Sequence, residues 1–120
     1  MKLLYIAAPY RAKTIISLQQ NIHEAKLMAM YYWNKDYAVL CPHSNSANFD
    51  GLLSDDKFLE GTMLMLAKCD LIAMHPNWQQ SAGCLNEHNL MINTKGSGSI
   101  LFPEWDEILT ILDKIYLDAL

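Results

Sequence analysis

Four short apolar runs, Leu3–Ala8, Tyr37–Cys41, Leu71–Met74 and Ser99–Phe102, recur through the chain with helix-length segments between them. Runs this short, apolar on consecutive residues rather than alternate ones, suit strands covered on both faces of a parallel sheet. The segments between them repeat their apolar residues at spacings of three and four, the period of a helix with one buried side. In the first, Leu18, Ile22, Ala25, Ala29 and Tyr32 follow that spacing, and Asn34 can end it. Asp55 or Asp56 can start a second through Phe58, Leu59, Met63, Leu66 and Ala67. A third is expected from about Ala82 to Asn93. After Pro103 a fourth carries Trp105, Ile108, Leu109, Leu112, Ile115 and Tyr116. The order is βαβαβαβα, which forces parallel strands, right-handed crossovers and helices on both faces. The expected architecture is α/β, a flavodoxin/Rossmann-like three-layer sandwich with four to five parallel strands.

The 120 residues, 52% of them hydrophobic, suffice for one core and not for two. Met1–Tyr10 has a Lys and an apolar stretch, but Pro9, Tyr10 and Arg11 follow without a small-residue cleavage site, so it reads as a first buried strand and not a secretion signal. No run approaches the roughly 18 to 20 apolar residues of a membrane span, and the expected compartment is the cytoplasm. A net charge of −4 with dispersed Lys and Arg argues against a duplex nucleic acid partner, which needs a basic face. Three scattered cysteines, Cys41, Cys69 and Cys84, fit reduced, buried thiols. Cys84 and His88 have a chelating i, i+4 spacing, and His43 and His75 lie near strand ends. Without paired Cys-x-x-Cys elements, however, no metal and no cofactor are expected.

Parallel sheets of this kind bind ligands outside the carboxyl ends of their strands. Three loops are expected there: Ala8–Lys13, Pro42–Phe49 and His75–Ser81. Ser81-Ala82-Gly83-Cys84-Leu85-Asn86-Glu87 reads as the start of a helix after the third loop. Ser81 is a natural cap, the free amides of Gly83 and Cys84 favour an anion, and Gly83 permits close approach. Glu87 lies six residues on, about 9 Å along a helix axis, which is within the sugar-phosphate length of a nucleotide. On pattern alone the plain reading is an ordinary cap and a solvated glutamate.

The chain resembles the nucleoside 2-deoxyribosyltransferase-like superfamily over nearly its whole length. The resemblance rests on Tyr5-Ile6-Ala7-Ala8-Pro9-Tyr10-Arg11, Asn21-Ile22 with Ala25, Cys41-Pro42-His43, Cys69-Asp70, and Trp78 followed by Ser81-x-Gly83-x-x-x-Glu87. It is most similar to short phage and bacterial members and to the 2′-deoxynucleoside 5′-phosphate N-hydrolases. The resemblance implies Ser81 on a phosphate and Glu87 as the nucleophile of a retaining N-glycosidase, giving a deoxyribosyl-enzyme ester. It also points to a small-molecule nucleoside or nucleotide as the ligand. Pro9, Tyr10 and His43 are expected at the same edge, with Arg11 as a phosphate partner and Trp78 either stacked on the base or lying as a lid over the core. Tyr5, inside a strand, reads as core.

One departure bears on activity. Active relatives usually carry an acidic residue eight positions before the strand Asp, and counting back from Asp70 reaches Thr62, with Glu60 two residues off. His43, Asp50 and Asp55 are the remaining candidates for protonating a leaving base. Two readings therefore stand, a deoxynucleoside N-glycosidase or transferase and a catalytically silent nucleotide-binding or nucleotide-sequestering protein. A structural oligomeric subunit ranks third. The first helix is apolar beyond one face through Leu27, Met28, Met30, Tyr31 and Trp33, which predicts a homodimer or larger homo-oligomer, with Met30 and Tyr31 at the interface.

Overall fold

A computed structural model describes residues 1–43, 52 and 54–119. Strand β1 (Leu3–Ala7) leads to helix α1 (Ile15–Asn34), then β2 (Ala38–Leu40), α2 (Asp55–Leu66), β3 (Leu71–Met74), α3 (Ala82–Lys95), β4 (Ile100–Leu101) and α4 (Trp105–Ala119). The four strands are all parallel, in the order β2-β1-β3-β4. The chain leaves β1 toward one side and returns on the other, so the order reverses between β1 and β3. In sheets of this kind such a reversal is where ligands bind, outside the carboxyl ends of the strands.

Both faces of the sheet are covered, as the apolar runs require. Leu4, Ile6 and Ala73 pack with Ala25, Met28 and Ala29 of α1 and Ile108 of α4. Tyr5, Ala7, Ile72 and Met74 point the other way, against Leu66 of α2 and Cys84 and Met91 of α3. The register Tyr5↔Ile72 and Ala7↔Met74 aligns the second set across β1 and β3. This is the expected three-layer α/β sandwich. All three cysteines are buried and unbridged, and among the described residues no helix is long and apolar enough to cross a membrane.

Several boundaries differ from the sequence reading, each for a local reason. Helix α1 starts at Ile15 because Thr14 caps it, its hydroxyl accepting from the Ser17 amide. Ile15 and Ile16 are exposed, so their apolar character gives no periodic signal there. Ser54, not Asp55 or Asp56, caps α2, accepting from the Lys57 amide. Strand β4 is two residues long instead of four, since Ser97–Ser99 turns as a 3-10 helix and Phe102 is exposed beyond the pairing. Tyr31 is a correction. Placed by sequence on a partner-facing side, it is only 2% exposed and donates from its hydroxyl to Glu107 Oε1 of α4 at 2.6 Å. The terminal helix covers part of the apolar surplus of α1, while Met30 and Trp33 remain 48% and 55% exposed.

Two polar side chains, Asn21 and Asp70, stitch this frame together. Asn21 Nδ2 donates to the Tyr10 carbonyl at 3.1 Å, tying α1 to the loop after β1. Asp70 accepts the Leu3 amide on its carboxylate at 2.9 Å and returns its own amide to the Leu3 carbonyl at 2.9 Å, fixing where β1 and β3 start. Most of the segment expected as the long loop, Ser44 to Ser54, lies outside the described residues.

Candidate active site

Helix α3 begins where sequence placed it. Ser81 has extended backbone, and its Oγ accepts from the Cys84 amide at 3.3 Å. The cap leaves the first-turn amides of Ala82 and Gly83 without helical partners, the ordinary condition of a helix start. A methyl group at Gly83 would meet only Ser81 Oγ, at 3.9 Å, so the protein itself leaves open space there. Cys84, one residue on, is turned into the core, and burial pushes its thiol up to about 12, which keeps it protonated and unreactive.

A turn and a half past Ser81, Glu87 points inward at the sheet, where its carboxylate accepts a hydrogen bond from the Tyr5 hydroxyl. The side chain is half-buried. Removal from water raises its pKa to about 7, against which the Tyr5 bond works by favouring the charged form. Burial, reinforced by the neighbouring Glu87 charge, holds the Tyr5 phenol far above its ordinary value, so Tyr5 is a fixed donor and not a base. Thr62 of α2 lies near the Tyr5 phenol, with its own hydroxyl donating to the Leu59 carbonyl at 3.0 Å. Position 62, where the sequence reading expected an acid, thus lies beside Tyr5 and carries a hydroxyl. Glu60 is exposed on the same helix.

Sequence reasoning missed Tyr5. In a strand covered on both faces, a tyrosine between Leu4 and Ile6 looks like any core residue. The usable signal was its alternation onto the face that receives α3.

The other expected site residues form separate groups. His43 is buried, its Nε2 bonded to the Pro9 carbonyl at 3.0 Å and its ring packed edge-on against Tyr10 at 5.4 Å. Burial lowers its pKa, favouring the neutral ring. His43 therefore clamps the loops after β1 and β2 to each other. Pro9 and Tyr10 lie in that clamp, and Arg11 follows on the exposed part of the loop. Trp78 packs on the core beside Leu90 and stacks on His88, with ring centroids 4.4 Å apart and Phe102 tilted alongside at 5.9 Å. One indole face is thus occupied by an imidazole from α3. Asp50 and the side chain of Asp55 lie outside the described residues. Among the described residues, no three side chains converge as metal ligands: Cys84 faces the core and His88 faces Trp78.

A family model described as a domain of unknown function, DUF4406, matches residues 4–97, which hold β1 through α3 and so include Tyr5, Ser81 and Glu87. The chain belongs to the DUF4406 family. No curated protein and no solved structure matches it. The matched region of this DUF4406 chain stops before β4 and α4.

Proposed function

We propose that this protein cleaves or exchanges the N-glycosidic bond of a deoxynucleoside or deoxynucleoside 5′-monophosphate, with Glu87 as the nucleophile. The observation that carries the reading is the half-buried Glu87 carboxylate with Tyr5 of β1 as its donor, on the helix that Ser81 caps. In the first step a Glu87 carboxylate oxygen bonds to the anomeric carbon as the bond to the base breaks. The base leaves with the bonding electrons and takes up a proton. Water, or a second base, then attacks the same carbon and releases Glu87. A 2-deoxy sugar eases both steps, since it lacks the hydroxyl that would destabilise the cationic transition state. Tyr5 holds the carboxylate in place and favours its charged form. Ser81 and Gly83 present the helix tip to a 5′-phosphate, with Arg11 as a second phosphate contact.

The attacking form is the carboxylate, so kcat/KM should climb as pH rises through about 7, where Glu87 loses its proton. A panel of deoxynucleosides and their monophosphates, followed by chromatography of free base, tests the reading beside Glu87→Ala. Base release that vanishes in the variant supports it, and release that persists removes Glu87 from the role.

Thr62 favours a second reading, a silent nucleotide-binding protein on the same frame, because a hydroxyl stands where the acid is expected. Binding of a monophosphate without release of base from any substrate would select that reading. In either case we place the protein in the cytoplasm as a homo-oligomer, with the exposed Met30 and Trp33 of α1 in the contact.

A further inference from the structure

The loop from His75 to Ser81 decides where helix α3 begins, and one buried side chain organises it. His75 is 2% exposed. Its Nδ1 accepts the Asn77 amide at 2.9 Å. An imidazole nitrogen that accepts carries no proton, so the ring proton is on Nε2 and is donated to Glu24 Oε1 of α1 at 2.8 Å. The other Glu24 oxygen takes the Gln20 side-chain amide at 3.4 Å, and Trp105 of α4 presents its ring edge-on to the imidazole at 5.2 Å.

Main-chain bonds continue from the same residue. The His75 amide donates to the Ala7 carbonyl at 2.8 Å, Trp78 donates to the His75 carbonyl at 2.9 Å, and Ser81 donates to the Trp78 carbonyl at 3.1 Å. Each step from the end of β3 to the cap of α3 is thus referred to His75. Through Glu24, His75 is in turn referred to a helix on the opposite face of the sheet. Glu87 is anchored independently, by Tyr5 of β1.

We infer that His75, oriented by Glu24, is a positioning residue for the proposed reaction: it holds the loop that delivers the Ser81 cap to the start of the helix carrying Glu87, and so sets how the ligand is held. The inference rests on the reading of Glu87 and Ser81 given above. Loosening the loop frays the first turn around Ser81, while Glu87, a turn and a half farther along the helix and bonded to Tyr5, stays in place. Binding therefore suffers while the bond-breaking step does not.

Two near-isosteric substitutions separate the two side-chain bonds. His75→Asn keeps an acceptor oxygen close to the place of Nδ1 and loses the Glu24 arm. His75→Gln keeps a donor close to the place of Nε2 and loses the acceptor. Exchange of the Asn77 amide, read by NMR without substrate, reports the loop, and KM and kcat for a deoxynucleoside 5′-monophosphate report the site. His75→Gln should speed Asn77 exchange about tenfold and raise KM about tenfold, with kcat within about twofold of native. His75→Asn should keep Asn77 protected and raise KM less.

Native exchange and native KM in His75→Gln overturn the proposal, as does a fall in kcat at constant KM. Glu24→Ala, at a half-buried helix position where alanine is well tolerated, removes the orienting arm in a chain that should fold even if His75→Gln does not. Unchanged KM there also overturns it. If the native protein cleaves no nucleotide, the reading of function fails by itself. The Asn77 exchange and the monophosphate Kd, measured in the same variants, then decide the positioning role.

Discussion

Two buried carboxylate pairs lie on opposite faces of one sheet, and they are built to different ends. On the α1 side, Glu24 faces His75, and that imidazole is engaged on both nitrogens and along one ring edge. On the α3 side, Glu87 has the Tyr5 hydroxyl, and burial has raised its pKa to about 7. A fully partnered group is held still by its neighbours. A desolvated carboxylate with a single neutral donor is held at a cost in its charged form, which is the condition under which a nucleophile gains from leaving that state.

The contrast is sharpest in activity. Glu87→Ala should lower kcat/KM for base release by at least about 10³-fold, the scale of losing a covalent nucleophile. Glu24→Gln, which keeps an acceptor oxygen for His75, should cost less than about fivefold. Steady-state rates for the two variants on one deoxynucleotide decide it, and comparable losses would erase the distinction between the faces.

Stability should reverse that ranking. The folded protein holds a proton on Glu87 up to about pH 7, whereas the unfolded chain releases it near the ordinary value of 4.5. Between those values the native state binds more protons than the unfolded one, so the stability Glu87 contributes below pH 4.5 is lost as pH rises through 7. The loss is on the order of 2–3 kcal/mol. Glu87→Gln does not titrate, so its stability relative to native should improve by about that amount from pH 4.5 to pH 8 in urea unfolding. A flat difference would mean that Glu87 is better solvated than its place against Tyr5 indicates.

Much of this contrast was legible in the sequence, and the rest was hidden for physical reasons. The four strands and four helices were legible because strands covered on both faces must be apolar on consecutive residues, and their helices must be periodic. The Ser81 cap was legible as a local pattern, whereas the inward turn of Glu87 was not, because pattern alone read it as a solvated helix residue. Tyr5 and His75 were not, since each acquires its role from a partner 82 and 51 residues away in the chain. Tyr31 misled for the same reason: its apolar surplus is answered by α4, which no inspection of α1 alone can reveal. The separate grouping of His43 with Pro9, and of Trp78 with His88, likewise depends on which loops meet.

A smaller effect tests the donor on the α3 face. Tyr5→Phe removes the bond that favours charged Glu87, so the pKa of Glu87 should rise further and the ascending limb of the pH–rate profile should move to higher pH. At pH 7 the rate should fall about tenfold, and most of the loss should be recovered at pH 9. A loss that pH does not recover would assign Tyr5 to geometry alone.

The smallest expected effect is at the helix tip. Ser81→Ala deletes the cap to the Cys84 amide and should cost about 1 kcal/mol of stability. It should also weaken binding of a 5′-monophosphate while leaving that of the unphosphorylated nucleoside nearly unchanged, because only the former brings an anion to the amides of the first turn. Calorimetric titration of both ligands into both proteins separates the two consequences. Equal weakening for nucleoside and monophosphate would mean that Ser81 only starts the helix and that the phosphate, if bound, is held by another element, of which the exposed loop carrying Arg11 is the nearest in the sequence reading. Unequal weakening would put the anion at the same helix that carries Glu87, on the face of the sheet opposite Glu24.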